Sequence, residues 1–465
     1  MVHVVIQMIG FETIGNATII CHDGKPILAT DPWLTGSAYF GSWGLPYNIP
    51  EELWENLKKC EYIWLSHGHP DHISIESLDK LRDKKILLAN HVGNRLQNDL
   101  SNLGFNVSSL EERKWIQLTK NLHILTISDY FQDSILLINL NGRLLVNVND
   151  ASNKGWGKFV QNITKSFKDP FLFKLFSYGD ADMINYFMED GIRITPKAAL
   201  KKPIGEQINF WSRYYGTKSI VPFSCFHYYQ RKDSSWANQF TTNISDYTNQ
   251  LAPEFELYPA FIRYNFETNQ FHEIKPKKNI LLPIDPKEFG DNWEDHLDSS
   301  DAMKIERYIK KIESLKDFVD FINFRVGEKD NIVELRTRNF KRGITFEVPR
   351  GSLMTTVKHE IFDDLLIGNF MKTTLHGDWH NNTLYPYFTP YVAKYADNGK
   401  AKTKTQLKKY LKQYKQKSPI EFIYHCFERE SEELIRKYIG INTKAFEWAK
   451  KFYLIMNTHK PTNKT

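Results

Sequence analysis

The stretch from Trp64 to Leu78, WLSHGHPDHISIESL, constrains this chain most, because it places three histidines and an aspartate within six residues. An apolar run precedes the histidines, so a strand delivers the chain to a loop whose polar side chains can converge. His67 and His69 could hold one cation, while Asp71 and His72 could turn toward a second. The pattern predicts a binuclear metal site, and its neutral imidazoles suit Zn, Fe or Mn.

Strands surround this motif, and a helix follows it. β-Branched segments such as ATIICHD, KKILLAN, SILLINLNG and RLLVNVND predict strands. The segments IPEELWENLKKC and SIESLDKLRDK predict short helices, the second with Ser74 as its N-cap. The fold class is therefore expected to be α/β, or more broadly α+β, arranged as a sandwich.

The chain is long enough for more than one core. Its 465 residues predict two domains. A connector rich in Pro, Lys and Asp, IKPKKNILLPIDPKEFG, marks the boundary between them. We expect residues 1–280 to form a catalytic domain and residues 281–465 to form an additional α+β cap or interaction domain.

Charge and cysteine usage narrow the partners and the compartment. A net charge of +6 permits a small anionic substrate and gives no argument for nucleic acid. The four cysteines are scattered and form no paired motif, so we expect a cytoplasmic protein with no Rieske cluster in this chain. No segment has the apolar length of a membrane helix, so we expect no membrane partner. The oligomeric state stays open.

The segments around the motif, ATDPWLTG upstream and LVNVND downstream, resemble the metallo-β-lactamase superfamily. The resemblance implies an αββα sandwich with two divalent metal ions at one end. It also implies that Asp150 bridges both ions and that His227, in VPFSCFHYY, completes the second metal position. The alternative for His227 is a core histidine surrounded by aromatic residues.

One histidine of that family's pattern is missing from this sequence. The family places it at the end of a strand between the first motif and the bridging aspartate, whereas NLHILTISD ends on Asp129. We favour Asp129 as the replacement ligand, and His123 in the middle of that strand stays an alternative. His91, after a different strand, is a weaker one. A carboxylate here would favour Fe or Mn over Zn.

A longer stretch, from DPWLTGSAYF to SIESLDKL together with LNGRLLVNVNDAS, resembles the catalytic portion of CMP-N-acetylneuraminic acid hydroxylases. The segment INFWSRYYGTKSIVPFSCFHYY matches more loosely. That family carries a Rieske domain, which supplies electrons to the metal site. Because no Rieske cluster is expected here, the resemblance implies an external electron donor if this chain is an oxygenase.

Three functions follow from these observations. The first is a binuclear metal-dependent hydrolase, in which metal-activated water attacks a phosphoryl or acyl centre and Asp71 is both a ligand and the catalytic residue that orients the hydroxide. The alternative is a non-heme diiron oxygenase. The third is a binding protein that keeps the fold without turnover.

Two further groups of polar residues could contribute to a site. Asp180 and Asp182 lie in SYGDADMINYF, where helix capping and solvent exposure are the simpler explanation. His376, Asp378 and His380 lie in LHGDWHNN and form a weaker ligand pattern far from the first motif.

Overall fold

The computed structural model describes residues 8–153, 157–179, 185–336, 342–379, 382–419 and 422. In chain order the strands are β1 (Ile9–Ile14), β2 (Thr18–Asp23), β3 (Pro26–Thr30), β4 (Trp43–Gly44), β5 (Tyr62–Leu65), β6 (Lys85–Leu88), β7 (Asn106–Ser109), β8 (Ile116–Gln117), β9 (Leu122–Ser128), β10 (Ser134–Leu140), β11 (Arg143–Asn149), β12 (Phe171–Leu175), β13 (Asn185–Phe187), β14 (Ser219–Phe223), β15 (Tyr228–Tyr229), β16 (Glu256–Leu257), β17 (Ile262–Asn265), β18 (Gln270–Glu273), β19 (Phe321–Val326), β20 (Lys329–Glu334), β21 (Arg342–Glu347) and β22 (Lys372–Gly377).

The helices lie between and after these strands. They are α1 (Glu51–Lys59), α2 (Ile75–Asp79), α3 (Arg95–Asn102), α4 (Gly157–Thr164), α5 (Ile204–Tyr215), α6 (Ser299–Lys310), α7 (Arg350–His359), α8 (Phe362–Ile367) and α9 (Lys404–Lys417). Short 3-10 helices span Lys197–Leu200, Ser235–Phe240, Ile244–Thr248, Pro286–Phe289 and Leu315–Asp317, and Pro390–Asn398 forms a π-helical segment.

Two sheets pack face to face in the first part of the chain. Among the described residues, the first sheet has the order β18-β17-β1-β2-β3-β5-β6-β7 and the second has the order β16-β14-β12-β11-β10-β9-β8. Successive residues of a strand point to opposite faces of its sheet. In both sheets, each of the two faces is buried. Trp64 of β5 and Leu136 of β10 share the core between the sheets, whereas their neighbours Ile63 and Leu137 belong to a second core.

Helices cover the outer faces of both sheets and build that second core. Leu57 of α1 packs in it with Ile63 of β5, and Ile208 of α5 packs in it with Leu137 of β10. Ser74 caps α2 as predicted, because its side chain accepts a backbone hydrogen bond from the first turn. The layers are helix, sheet, sheet and helix, so the predicted αββα sandwich is confirmed.

A third sheet lies mainly in the C-terminal part. Its strands, counted over the described residues, have the order β13-β22-β21-β19-β20. Ile309 of α6, Leu353 of α7 and Leu407 of α9 pack in one core with Phe324 of β19. The predicted additional α+β structure is therefore present, and β13 joins it from the first part of the chain through parallel pairing with β22. No helix in the described ranges is both long and apolar enough to cross a membrane.

Strand direction brings the motif residues to one edge of the sandwich. β3, β5 and β6 are parallel, so Asp31, His67 and His91 follow their carboxyl ends at the same edge. In the second sheet, β9, β10 and β11 alternate in direction. The residues after β9, before β10 and after β11 therefore meet at one edge, which places Asp133 and Asp150 together.

Candidate metal centre

The loop after β5 brings two histidines next to the aspartate that follows β11. His67 Nε2 lies 2.9 Å from His69 Nδ1 and 3.9 Å from Asp150 Oδ2. Asp133 Oδ1, just before β10, lies 4.0 Å from the same nitrogen. One ligand atom from each of His67, His69 and Asp150 lies within 4.8 Å of the others. These atoms form a first group that could hold one cation.

A second group shares Asp150 with the first. His72 Nε2 lies 3.5 Å from Asp71 Oδ2 and 3.4 Å from Asp150 Oδ2. Ser224, after β14, donates a hydrogen bond to Asp150. Asp31, after β3, lies on the other side of His72, with its Oδ2 3.1 Å from Nδ1. One carboxylate oxygen of Asp150 therefore lies close to both groups.

Asp71 is held in one orientation by hydrogen bonds to both of its oxygens. The Tyr39 hydroxyl donates to Oδ1 at 2.5 Å, and Asn16 Nδ2 donates to Oδ2 at 2.9 Å. All three side chains are buried. The carboxylate consequently has little rotational freedom before anything binds beside it.

Burial and neighbouring charges together control the ionisation of these groups, and the charges of Asp71 and Asp150 raise the pKa of His72 well above its ordinary value against the effect of burial. Burial, reinforced by the neighbouring His72, holds the pKa of His67 well below its ordinary value, so its ring is neutral and can bind a cation. Burial raises the pKa of Asp71 and of Asp133, and the charge of Asp150 acts in the same direction. A cation between these carboxylates would offset both the cost of burying their charges and their repulsion from Asp150. The donor set therefore fits two divalent cations.

Asp129, the residue favoured from the sequence as a ligand, contacts its own turn instead. Its Oδ1 accepts backbone hydrogen bonds from Phe131 at 2.8 Å and Asp133 at 3.1 Å, and its Oδ2 accepts a hydrogen bond from the Ser152 hydroxyl at 3.1 Å. Burial raises the pKa of Asp129 to about 8. In this turn it is Asp133 whose carboxylate faces His67. The role of Asp129 as a ligand stays a prediction, and none of the hydrogen bonds above supports it. The signal that sequence reasoning missed was the β9–β10 hairpin. In a hairpin, the residue just before β10 lies at the same sheet edge as the residue just after β9, so Asp133 was as good a candidate as Asp129.

The three other candidate histidines, His227, His91 and His123, belong to neither group. His227, between β14 and β15, stacks on Trp43 with ring centroids 3.4 Å apart and planes 5° apart. Within the described part of the chain neither of its ring nitrogens has a hydrogen-bond partner, and burial lowers its pKa to about 3. Its role as a ligand stays a prediction. His91 Nε2 lies 3.1 Å from the Ser66 carbonyl oxygen, and His123 lies in the middle of β9.

Two charged residues of the C-terminal part reach the first group. Asp363 Oδ2, on α8, lies 2.9 Å from His69 Nε2 and accepts a hydrogen bond from Lys394 Nζ at 2.8 Å. Sequence reasoning missed both residues, because 294 positions separate His69 from Asp363 and neither belongs to a local motif.

A cavity of about 550 Å³ opens beside the first group. Both parts of the chain line it, and its charged or metal-facing residues are His69, Asp133, Asp150, Lys197, Asp363 and Lys394. Its volume lies in the range of small-molecule sites. Its charged lining combines three aspartates with two lysines.

The structure describes only some of the remaining predicted residues. Asp180, Asp182 and His380 lie outside the described residues. His376 lies on β22, where its Nε2 is 2.9 Å from the Thr345 hydroxyl.

The αββα sandwich, with histidines and aspartates gathered at its strand ends, defines a metallo-β-lactamase fold. The similar curated proteins are cytidine monophosphate-N-acetylneuraminic acid hydroxylases. The enzyme of Sus scrofa is 26% identical over 155 residues, which is 31% of this chain and 36% of the relative. The enzyme of Asterias rubens is 27% identical over 156 residues, which is 31% of this chain and 24% of the relative. The match thus spans only about a quarter to a third of these relatives. No protein-family model matches the chain.

Solved structures with some likeness include both hydrolases and a hydroxylase. CmlA, a diiron β-hydroxylase from Streptomyces venezuelae, has 13% identity and a TM-score of 0.32 over 46% of this chain and 44% of its own. An isothiocyanate hydrolase from Delia radicum gut bacteria has 13% identity and a TM-score of 0.34 over 55% and 98%. The metallo-β-lactamase fold protein YhfI from Bacillus subtilis has 12% identity and a TM-score of 0.31 over 55% and 95%. The fold assignment rests on the chain's own sheets and strand ends.

Proposed function

We propose that the protein is a binuclear metal-dependent hydrolase that acts on a phosphoryl or acyl centre of a small anionic molecule. The observation that carries the proposal is the position of Asp150, whose Oδ2 lies 3.9 Å from His67 Nε2 and 3.4 Å from His72 Nε2. A carboxylate placed between two ligand groups could serve both cations of a two-metal hydrolytic site.

The ligands divide between two positions. His67, His69 and Asp133 would hold the first cation, and Asp133 replaces Asp129 in this set because its carboxylate faces His67. The second cation would be held by Asp71 and His72, with His227 as the further predicted ligand, and Asp150 would be shared. Zinc suits the imidazoles, while iron or manganese suits the carboxylates.

The chain's own residues prepare the reaction. Two bound divalent cations would lower the pKa of a shared water toward about 7 and neutralise negative charge as it develops on the substrate. Tyr39 and Asn16 hold Asp71 in one orientation, so Asp71 can align a water for attack. Ser224 fixes the other carboxylate by donating to Asp150. Lys197, exposed beside the cavity, would attract an anionic substrate.

A second candidate function is oxygen activation at two irons. The curated relatives are hydroxylases, and the carboxylates at Asp133 and Asp150 favour a hard ion such as iron. An oxygenase built on this chain would take electrons from a separate donor protein.

Metal analysis of the protein purified from its host separates the two candidates. Hydrolysis predicts zinc or manganese and turnover of a phosphodiester such as bis(p-nitrophenyl) phosphate. Bound iron with a visible absorption band, together with oxygen uptake when a reductant is added, would exclude hydrolysis and favour the oxygenase. Metal binding with neither activity would identify a binding protein.

The variant His69→Ala tests the site itself. It removes a ligand of the first group, so we expect the first cation to be lost and turnover to fall roughly 100-fold or more, while the circular dichroism spectrum is unchanged. His123→Ala is the matched control, since His123 lies in the middle of β9 outside both groups. Wild-type metal content and activity in His69→Ala would refute the proposed site.

A further inference from the structure

The C-terminal part makes a direct polar contact with the first metal-binding group. The contact joins Asp363 Oδ2 on α8 to His69 Nε2 at 2.9 Å, and both side chains are largely buried. Lys394 Nζ donates to the same oxygen at 2.8 Å. The carboxylate is therefore held between an imidazole on one side and a buried ammonium on the other.

The two nitrogens of His69 face different groups. Nδ1 lies 2.9 Å from His67 Nε2, on the side of the metal-binding group, while Nε2 faces Asp363. A neutral imidazole that gives the Nδ1 lone pair to a cation must carry its proton on Nε2. Asp363 Oδ2 lies where an acceptor for that proton is needed. The contact therefore selects the tautomer that can bind metal and also fixes the plane of the ring.

We propose that Asp363 is a positioning residue of the metal centre, which holds His69 with Nδ1 directed at the first cation, and that the C-terminal part thereby completes the site. This rests on the proposed metal-dependent function. Lys394 keeps the Asp363 carboxylate in place, since its buried ammonium balances the carboxylate charge.

Cobalt titration of the full chain tests the proposal without any substrate. Co²⁺ reports both its dissociation constant and, through its visible absorption bands, the geometry of its ligands. Asp363→Ala should weaken Co²⁺ binding at the first position about 10- to 100-fold and shift those bands. Asp363→Asn should recover most of the affinity, because its side-chain oxygen can still accept the Nε2 proton. Asp330→Asn removes an exposed carboxylate of β20 that pairs with Arg325, and it should bind Co²⁺ as the wild type does.

A double variant separates positioning from a general effect on folding. In the His69→Ala background, which keeps only the second position, Asp363→Ala should leave Co²⁺ binding at that position unchanged, because Asp363 acts through His69. If Asp363→Ala does not fold, Asp363→Glu gives the second test, since it displaces the carboxylate by one methylene. A folded Glu variant with shifted bands supports the proposal, and one with unchanged bands overturns it.

The failures of the two proposals are distinguishable. Wild-type Co²⁺ affinity and bands in Asp363→Ala, alongside lost binding in His69→Ala, would overturn the positioning role alone. Unchanged Co²⁺ binding in His69→Ala would overturn the proposed metal centre itself, and the positioning role with it.

Discussion

Two aspartates share the short connection between β9 and β10, and their carboxylates have different contacts. Asp133 Oδ1 lies 4.0 Å from His67 Nε2, whereas Asp129 accepts hydrogen bonds from two backbone N–H groups and from Ser152. We expect Asp133→Ala to lower metal affinity at the first position about 10- to 100-fold with little change in stability. Metal titration and urea unfolding of the same samples would measure both quantities.

Asp129→Ala is the matched substitution in the same turn. It leaves buried N–H groups without their acceptor, at a cost of about 1–3 kcal/mol for each group left unpaired, so the urea midpoint should fall while metal affinity stays near that of the wild type. The opposite pattern, with metal lost in Asp129→Ala and kept in Asp133→Ala, would restore Asp129 as the ligand.

The difference between these aspartates shows what the sequence could predict at the scale of single residues. His67, His69, Asp71 and His72 are neighbours in the chain, so their proximity follows from one strand and one loop. The position of Asp133 depends on which of two aspartates in a tight turn bonds to the backbone, and residue types alone do not decide that. Asp363 depends on the packing of a distant element, so no local signal could have found it.

At the scale of secondary structure, continuous β-branched and apolar runs were a reliable guide, because both sheets bury both faces. The segment SIVPFSCFHYY is one continuous, largely apolar and aromatic run in the sequence. It forms β14 and β15 with residues 224–227 between them, and Ser224 adopts a left-handed φ of 59°. That break ends the strand before His227, which stacks on Trp43. The position of His227 therefore follows from a local backbone conformation that the β-branched pattern does not reveal.

Asp397 connects three elements of the C-terminal part, and its buried carboxyl group leads us to expect that the stability of the protein depends on pH. It belongs to the π-helical segment, and its Oδ2 accepts from the Tyr308 hydroxyl of α6 at 2.7 Å and from the Phe362 backbone N–H of α8 at 3.1 Å. Its Oδ1 is buried and has no hydrogen-bond partner among the described residues. Burial raises the pKa of Asp397 to about 6 from 3.8.

The sign of the effect follows from proton binding. Between pH 3.8 and about 6 the folded state keeps the Asp397 proton that the unfolded state has lost, so stability falls as pH rises through this window. Asp397→Asn removes the titration, and its stability relative to the wild type should rise by about 1.4 kcal/mol per pH unit, to about 3 kcal/mol in total. Urea unfolding from pH 4 to 8 at equal metal content would measure this, and a difference independent of pH would contradict it.

At the scale of the whole molecule, the two parts of the chain share structure. β13 pairs with β22, and Tyr130 and Tyr186 belong to the C-terminal core cluster. The domain boundary between residues 280 and 281 stays a proposal. It was predicted from the Pro-, Lys- and Asp-rich composition of the connector, and composition does not indicate which strands pair. Local composition can indicate where a chain changes character. It cannot show that a strand from the first part completes a sheet in the second.

These shared contacts predict that both parts unfold together. Arg95 of α3 donates to the backbone carbonyls of His359 and Glu360, each at 2.8 Å, and the Tyr410 hydroxyl of α9 donates to the Tyr130 carbonyl at 2.5 Å. Separating the parts would exchange these hydrogen bonds for bonds to water, at a net cost of about 0.5–1.5 kcal/mol each, and would expose the shared core. Calorimetry should therefore give one transition, with a calorimetric enthalpy equal to the van't Hoff enthalpy. Arg95→Ala should lower the temperature of that single transition, whereas two resolved transitions, with Arg95→Ala affecting one of them, would mean that the parts are independent folding units.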